Sequence, residues 1–104
     1  MSVYMIVETK EVTDKQGYDK YIREVPRTVE QYGGKYLARG SDVTVMSGDW
    51  QPQRLILIEF GSPEKFRAWR DSPEYRQVAP LRERSARVNA VVVTGVESQT
   101  ITPV

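Results

Sequence analysis

The sequence predicts an α+β domain whose elements follow one another as strand, helix, strand, strand, helix, strand, and three observations lead there. Arg54–Phe60 is a nearly unbroken apolar run with branched residues, which suits a strand covered on both faces. Ser62-Pro63-Glu64 and Ser72-Pro73-Glu74 repeat one helix-opening signal, a hydroxyl cap followed by proline at the first helical position. Between Asp14 and Tyr32, apolar and aromatic residues recur at three- and four-residue spacing, the mark of a helix facing a sheet. The stretch Arg54–Tyr75, a strand feeding a twice-capped helical layer, is the piece around which the rest is arranged.

Composition narrows the chemistry before any motif is considered. A chain of 104 residues builds one core, and a hydrophobic share of 39% with a charged share of 28% describes a globular protein. The domain is expected over residues 1–96, with 97–104 a loosely held tail. No apolar run approaches the roughly 20 residues that span a bilayer. With no export signal evident at Met1-Ser2-Val3, a cytoplasmic location is the default expectation. Cysteine and histidine are both absent from the sequence. Thiolate nucleophiles, disulfides, histidine-based triads, typical zinc sites and histidine- or thiolate-held haem are thereby excluded. No metal site or cofactor is expected. Ser62–Arg87 concentrates Lys65, Arg67, Arg70, Arg76, Arg82, Arg84 and Arg87 against Glu64, Asp71, Glu74 and Glu83, although the whole chain carries only +1. A solvated helical face is the simplest origin, and attraction of an anion the sharper one.

Taken in order, Val3–Val12 reads as a strand with Val3, Met5, Val7 and Thr9 on one face and Tyr4, Ile6, Glu8 and Lys10 on the other. Asp14 caps a helix carrying Tyr18, Tyr21, Ile22, Val25, Val29 and Tyr32 on its apolar face. Pro26 predicts a kink or a restart, and the unbroken phase of the stripe favours the kink. Gly33-Gly34 ends the helix. Lys35–Arg39 and Val43–Met46 read as two pieces of one bent strand with a bulge at Gly40-Ser41, and residues 48–52 as the hairpin loop before Arg54–Phe60. Phe66 and Trp69 share a face of the next helical segment. Tyr75, Val78, Leu81 and Ala86 continue as a stripe, with Pro80 a further distortion, and Val88–Val96 is the last strand.

The βαββαβ order is the ferredoxin-like arrangement, and the first and third strands are expected as parallel central neighbours. The third strand is apolar on both parities, with Ile56, Ile58 and Phe60 one way and Leu55 and Leu57 the other. Helices cover only one face, so the other calls for a second copy packed sheet to sheet, and a homodimer is expected.

The segments GGKYLARG (Gly33–Gly40), RLILIEFGS (Arg54–Ser62) and SPEYR (Ser72–Arg76) resemble, in order and spacing, those of the domain-of-unknown-function 1330 family, over about Val3 to Val96. The resemblance implies membership of the dimeric α/β-barrel superfamily, in agreement with the two-faced strand. Three positions depart from the family pattern: Ser41 in place of a glycine, Ser47 in place of an acidic residue, and Gly61 in place of proline. The missing acid removes the group that a catalytic role for that loop would use. The resemblance names the fold and brings no settled activity.

Candidate site residues follow from the expected topology. With the first and third strands parallel, Glu8 and Glu59 fall near one end of the sheet, and Arg39 joins them there. Tyr4 and Glu8 would share the dimer-facing side with Glu59, at the rim of an apolar cavity. Carboxylates so placed can act as acid or base, whereas a Glu59–Arg39 pair also serves simply to hold the strand end. Tyr75 and Arg82, seven residues apart on one helical face, could reach a cleft between helices and sheet, although a tyrosine so placed is more often core and an arginine more often solvated. Arg54 could pair with Asp49, and Trp50 is read as an interface anchor. Ligand-binding candidates are therefore Arg39, Glu59, Tyr75, Tyr4, Glu8, Arg54 and Arg82, for a small carboxylated or carbonyl-bearing molecule at the sheet end. A non-catalytic accessory homodimer is the alternative. An RNA-binding module, which shares the element order, lacks the basic-glycine-aromatic signature such modules carry.

Overall fold

Three helix caps anticipated from sequence organise the fold. In the computed structural model, which describes residues 1–96, strand β1 (Val3–Val12) is followed by helix α1 (Lys15–Gln31), β2 (Lys35–Gly40), β3 (Leu55–Phe60), α2 (Pro63–Arg70), α3 (Pro73–Ser85) and β4 (Ala86–Thr94). Asp14 accepts the Gly17 amide at 3.3 Å, Ser62 that of Lys65 at 3.1 Å and Ser72 that of Tyr75 at 3.1 Å. Each satisfies an amide that the first helical turn leaves without a partner, for about 1 kcal/mol. Helix α1 runs unbroken across Pro26, and α3 across Pro80, with no restart at either. A proline inside a helix costs about 3 kcal/mol, and burial of Val25 and Val29 beside Pro26 offsets it.

The sheet order is β2-β3-β1-β4, and every neighbouring pair is antiparallel. The expectation of parallel β1 and β3 is therefore wrong. The reason is topological: the helical crossover makes β1 and β2 parallel but leaves a gap, and β3 turns back from β2 into it, antiparallel to both. The register places Tyr4 opposite Glu59, Ile6 opposite Leu57 and Glu8 opposite Leu55. Alternation then sorts the side chains as the sequence predicts. Val3, Met5, Val7, Ile56, Ile58 and Phe60 face the helices, and Tyr4, Ile6, Glu8, Leu55, Leu57 and Glu59 face away.

The core lies between sheet and helices, built from Val3, Val25, Val29, Ile58, Phe60, Trp69 and Val78. Phe60 is fully buried, its ring 5.6 Å from that of Phe66 and 5.4 Å from that of Trp69. Trp69 donates its indole N–H to Thr28 Oγ1 at 3.0 Å, which satisfies both polar groups in the core. The helical layer is tied further by Tyr32, whose hydroxyl donates to Glu74 at 2.7 Å.

Two further expectations fail at the loop. Val43–Met46 forms no strand, and residues 41–54 are irregular. Pairing of β2 ends at Gly40 opposite Leu55, the first residue of β3, so nothing remains for Val43–Met46 to bond. The bulge falls at Tyr36–Ala38 instead of Gly40-Ser41. The last strand begins at Ala86 and ends at Thr94, two residues before the expected bounds. The tail expected over 97–104 lies outside the described residues. Among the described residues no helix is long and apolar enough to cross a membrane.

Gly34 marks the tightest approach in the core. A Cβ there would stand 2.5 Å from Val29 Cγ1 and 2.8 Å from Phe60 Cε1. Both neighbours are fully buried and cannot swing aside. Gly34→Ala is expected to lower unfolding stability by about 1–3 kcal/mol through overpacking. A denaturant midpoint unchanged from that of the natural sequence would show that this contact relaxes at no cost.

Candidate functional site

A partly open space lies between the sheet and the helices. A cavity of about 150 Å³ is lined by Met5, Val7, Val88 and Ala90 of the sheet and by Tyr21, Phe66, Trp69, Arg70, Tyr75 and Arg82 of the helices. A narrower space of about 40 Å³ shares Met5, Val7, Tyr21, Trp69, Arg82 and Val88 with it and continues to Tyr18, Tyr36 and Ile56. The wall is apolar save for hydroxyls and guanidinium groups, the composition of a small-molecule site.

Each polar group arrives there for a local reason. Tyr21 sits one turn beyond Tyr18 on the apolar stripe of α1, and the Tyr18 hydroxyl shares a 2.7 Å hydrogen bond with Thr9 Oγ1. Tyr75 follows the Ser72 cap and lies with its ring centroid 4.3 Å from that of Trp69. Arg82 is two turns further along α3, on the face that Tyr75 occupies. Burial, reinforced by the Tyr75 hydroxyl beside it, drives the Tyr21 phenol well above its ordinary value, with Arg82 working the other way. Burial likewise pushes Tyr36 up to about 12, against the opposing pull of Arg39 and Arg54. Around Arg82, burial works against the charge, but the electrostatic pull of Tyr75, Tyr21 and Glu83 outweighs it, and the guanidinium holds its proton above the ordinary range. The raised Tyr21 phenol therefore stands as a neutral donor beside a cation.

The remaining candidates fall elsewhere. Glu8 and Glu59 are at opposite ends of the sheet because β1 and β3 are antiparallel. Arg39 pairs in register with Ile56, on the helix side at the Glu8 end, so it meets Glu59 neither along the sheet nor on one face. The expected Arg39–Glu59 pair does not form. Glu59 accepts from Tyr4 at 3.3 Å, and Arg39 lies over the Tyr36 ring at 5.2 Å. Arg54 makes no ion pair with Asp49, and its Nε is buried without a hydrogen-bond partner among the described residues. Glu8 accepts from Trp50 Nε1 at 3.2 Å and from Asn89 Nδ2 at 3.4 Å. The loop before β3 is thus pinned across the outer sheet face, with the Trp50 indole still 58% exposed. Of the seven candidates, only Tyr75 and Arg82 line the larger cavity, and sequence reasoning left out Tyr21 and Trp69, which it had placed as helix-face core residues. Their signal was the alignment of aromatic residues on the two helices that face one another. Among the described residues no cluster of three or more carboxylates is positioned to hold a metal ion.

The chain belongs to the domain of unknown function 1330 family, whose model matches residues 2–96. No curated protein matches it. Among solved structures it is similar to RPA0582, a protein of unknown function from Rhodopseudomonas palustris, with a TM-score of 0.76 at 17% identity over 92% of this chain and 83% of that one. A dimeric ferredoxin-like protein of unknown function from Jannaschia sp. CCS1 gives 0.71 at 10% identity, over 91% and 100%. SnoaB, a cofactor-independent oxygenase from Streptomyces nogalater, gives 0.66 at 8% identity, over 94% and 96%. At such identities the likeness establishes the ferredoxin-like fold.

The raised phenols predict how stability depends on pH. A phenol held above its unfolded value of about 10 keeps its proton longer in the folded state, so the unfolded chain releases protons first as pH rises. The stabilisation is present in full below that value and is lost as pH climbs toward the folded value of Tyr36, about 12. Urea midpoints are expected to fall between about pH 9.5 and 11.5, and less steeply in a Tyr21→Phe, Tyr36→Phe variant. An equally steep fall in that variant would place the titrating groups elsewhere.

Proposed function

We propose that this member of the 1330 family is a homodimer, each subunit of which binds a small molecule between its sheet and its helices. The observation that carries the binding reading is the cavity itself: Tyr21, Tyr75 and Arg82 converge, with Arg70 also at the wall, in a lining that is otherwise apolar and aromatic. Few convergent polar groups in an apolar hollow are what orients a ligand after desolvation of the rest has provided affinity. The ligand position anticipated from sequence, at the sheet end near Glu59, moves to the helix side on this reading. SnoaB is a cofactor-independent oxygenase, which supports by fold analogy a site that works without an added group.

The dimer reading rests on the outer face of the sheet. Val91 and Val93, 60% and 51% exposed, stand beside Ile6 and Tyr4 in register and extend the apolar surface of Leu55 and Leu57. Met46, in the loop that crosses this side, is 90% exposed. A contiguous apolar sheet face left to water is an association surface, and a second copy is self-complementary to it about a two-fold axis. The Jannaschia protein is described as dimeric, which supports the same arrangement. Nucleic acid gains no support from this face: on the two central strands it presents Tyr4 as its aromatic residue, together with Glu8 and Glu59, which repel phosphate.

Sedimentation velocity at micromolar concentration is expected to give a dimer, and Val91→Glu with Val93→Glu a folded monomer, since neither side chain supports the core of its own subunit. A monomeric natural sequence would overturn the dimer reading. Binding is tested by thermal shift against small aromatic, carboxylated and neutral metabolites. Stabilisation by none of them, in a protein whose Tyr75→Ala variant melts normally, would remove the case for a ligand site.

A further inference from the structure

We propose that the cavity selects an organic anion of single-ring size, a carboxylate on an aromatic ring, with its charge met by Arg82 and its oxygens by the hydroxyls of Tyr21 and Tyr75. The inference rests on the reading of the cavity as a ligand site and adds the chemical class of its occupant. Size comes first. An apolar cavity of about 150 Å³ is of the volume that holds one benzene-sized ring.

Charge comes second. Arg82 is half-buried at an apolar wall, and no carboxylate lies within 4.0 Å of it among the described residues; the ion pairs there join other partners. Its sequence neighbour Glu83 is exposed and acts on it only at a distance. A cation drawn into an apolar lining with tyrosine hydroxyls near it but no carboxylate within reach has given up part of its hydration without gaining a counter-charge, which a bound anion would supply. Arg70, the other guanidinium at this cavity, is already engaged by Asp71 at 3.1 Å, so the two differ in what they offer a ligand.

The neighbours of Arg82 fit the same occupant. The hydroxyls of Tyr21 and Tyr75, which line the cavity with Arg82, are of the kind that donates to carboxylate oxygens. The Trp69 N–H is committed to Thr28, which leaves its ring, flanked by Tyr75, as an aromatic wall. A ring with an anionic group places each part against its counterpart.

Matched pairs test this on the intact protein: benzoate against benzamide and phenylacetate against phenylacetamide, titrated by NMR chemical shift, with toluene as a neutral probe of the cavity. Each acid is expected to bind at least about tenfold more tightly than its amide, the discrimination of a hydrogen bond to a charged group over a neutral one. Arg82→Gln is expected to abolish that preference while toluene still binds, and Arg82→Lys to restore part of it. The acid–amide ratio in the natural sequence needs no variant, so a misfolded Arg82→Gln does not rescue the idea. Acid and amide binding equally, or toluene binding alone, overturns the anion selectivity and leaves the cavity standing as a ligand site. Binding by none of the five compounds overturns both.

Discussion

Strand β3 is the constraint on which the rest of the molecule depends. It is hydrogen-bonded along both edges, to β1 and to β2, and it is apolar on both faces. Its helix side supplies Ile58 and Phe60 to the core, and Phe60 alone accounts for about 3–5 kcal/mol by the usual cost of truncating a buried phenylalanine. Gly34 lies against that ring because a methyl group would not fit, so the turn after α1 and the strand that follows are set by the same side chain. The outward side of β3 supplies Leu55 and Leu57, which have no helix to cover them. One six-residue element thus creates both the packed interior and the surface that asks for a partner.

The cavity is a consequence of how the helices rest on this sheet. Near Phe60 the layers meet tightly through Val29, Trp69 and Val78. Toward Val7 and Val88 the side chains of the sheet become short, and the space above them is taken by long side chains from the helices, Tyr21 and Arg82, which carry their polar ends inward. Satisfying such ends within a core requires partners. Tyr18 finds Thr9 and Trp69 finds Thr28. Arg82 has tyrosine hydroxyls near it and, among the described residues, no carboxylate within 4.0 Å, which is the contrast the proposed ligand site rests on.

Local signals in the chain were legible to within a residue or two. Asp14, Ser62 and Ser72 cap the helices as their side chains dictate, and the alternation from Val3 to Thr9 assigns the faces of β1 correctly. The antiparallel hairpin of β2 and β3 was read correctly, and what failed was each inference that depended on the direction of β3 relative to β1. Periodicity reports which face a residue occupies but not which way its neighbour runs. Reversing β3 relative to β1 carried Glu59 from the Glu8 end to the Tyr4 end and dissolved the cluster with Arg39. Val43–Met46 failed for a related reason: branched residues suit a strand, but a strand exists only where another offers it hydrogen bonds. Tyr21 and Trp69 were assigned to packed helix faces, and a void between two such faces is a tertiary property that no single stripe encodes.

The ionisable groups at the cavity limit what it can do to a bound molecule. General acid–base catalysis near neutrality needs a group that gains and loses a proton there. The sequence contains no histidine or cysteine, and Glu8 and Glu59 lie on the outer face of the sheet. Of the side chains that do line the space, the Tyr21 phenol, raised by burial, and the Arg82 guanidinium keep their protons throughout the neutral range. On the proposed ligand-site reading, such a set holds and polarises the occupant, stabilising negative charge on its oxygens, without exchanging protons with it. Chemistry at this site would therefore depend on the acidity or reactivity of the occupant itself, with the protein supplying orientation, desolvation and a fixed positive potential.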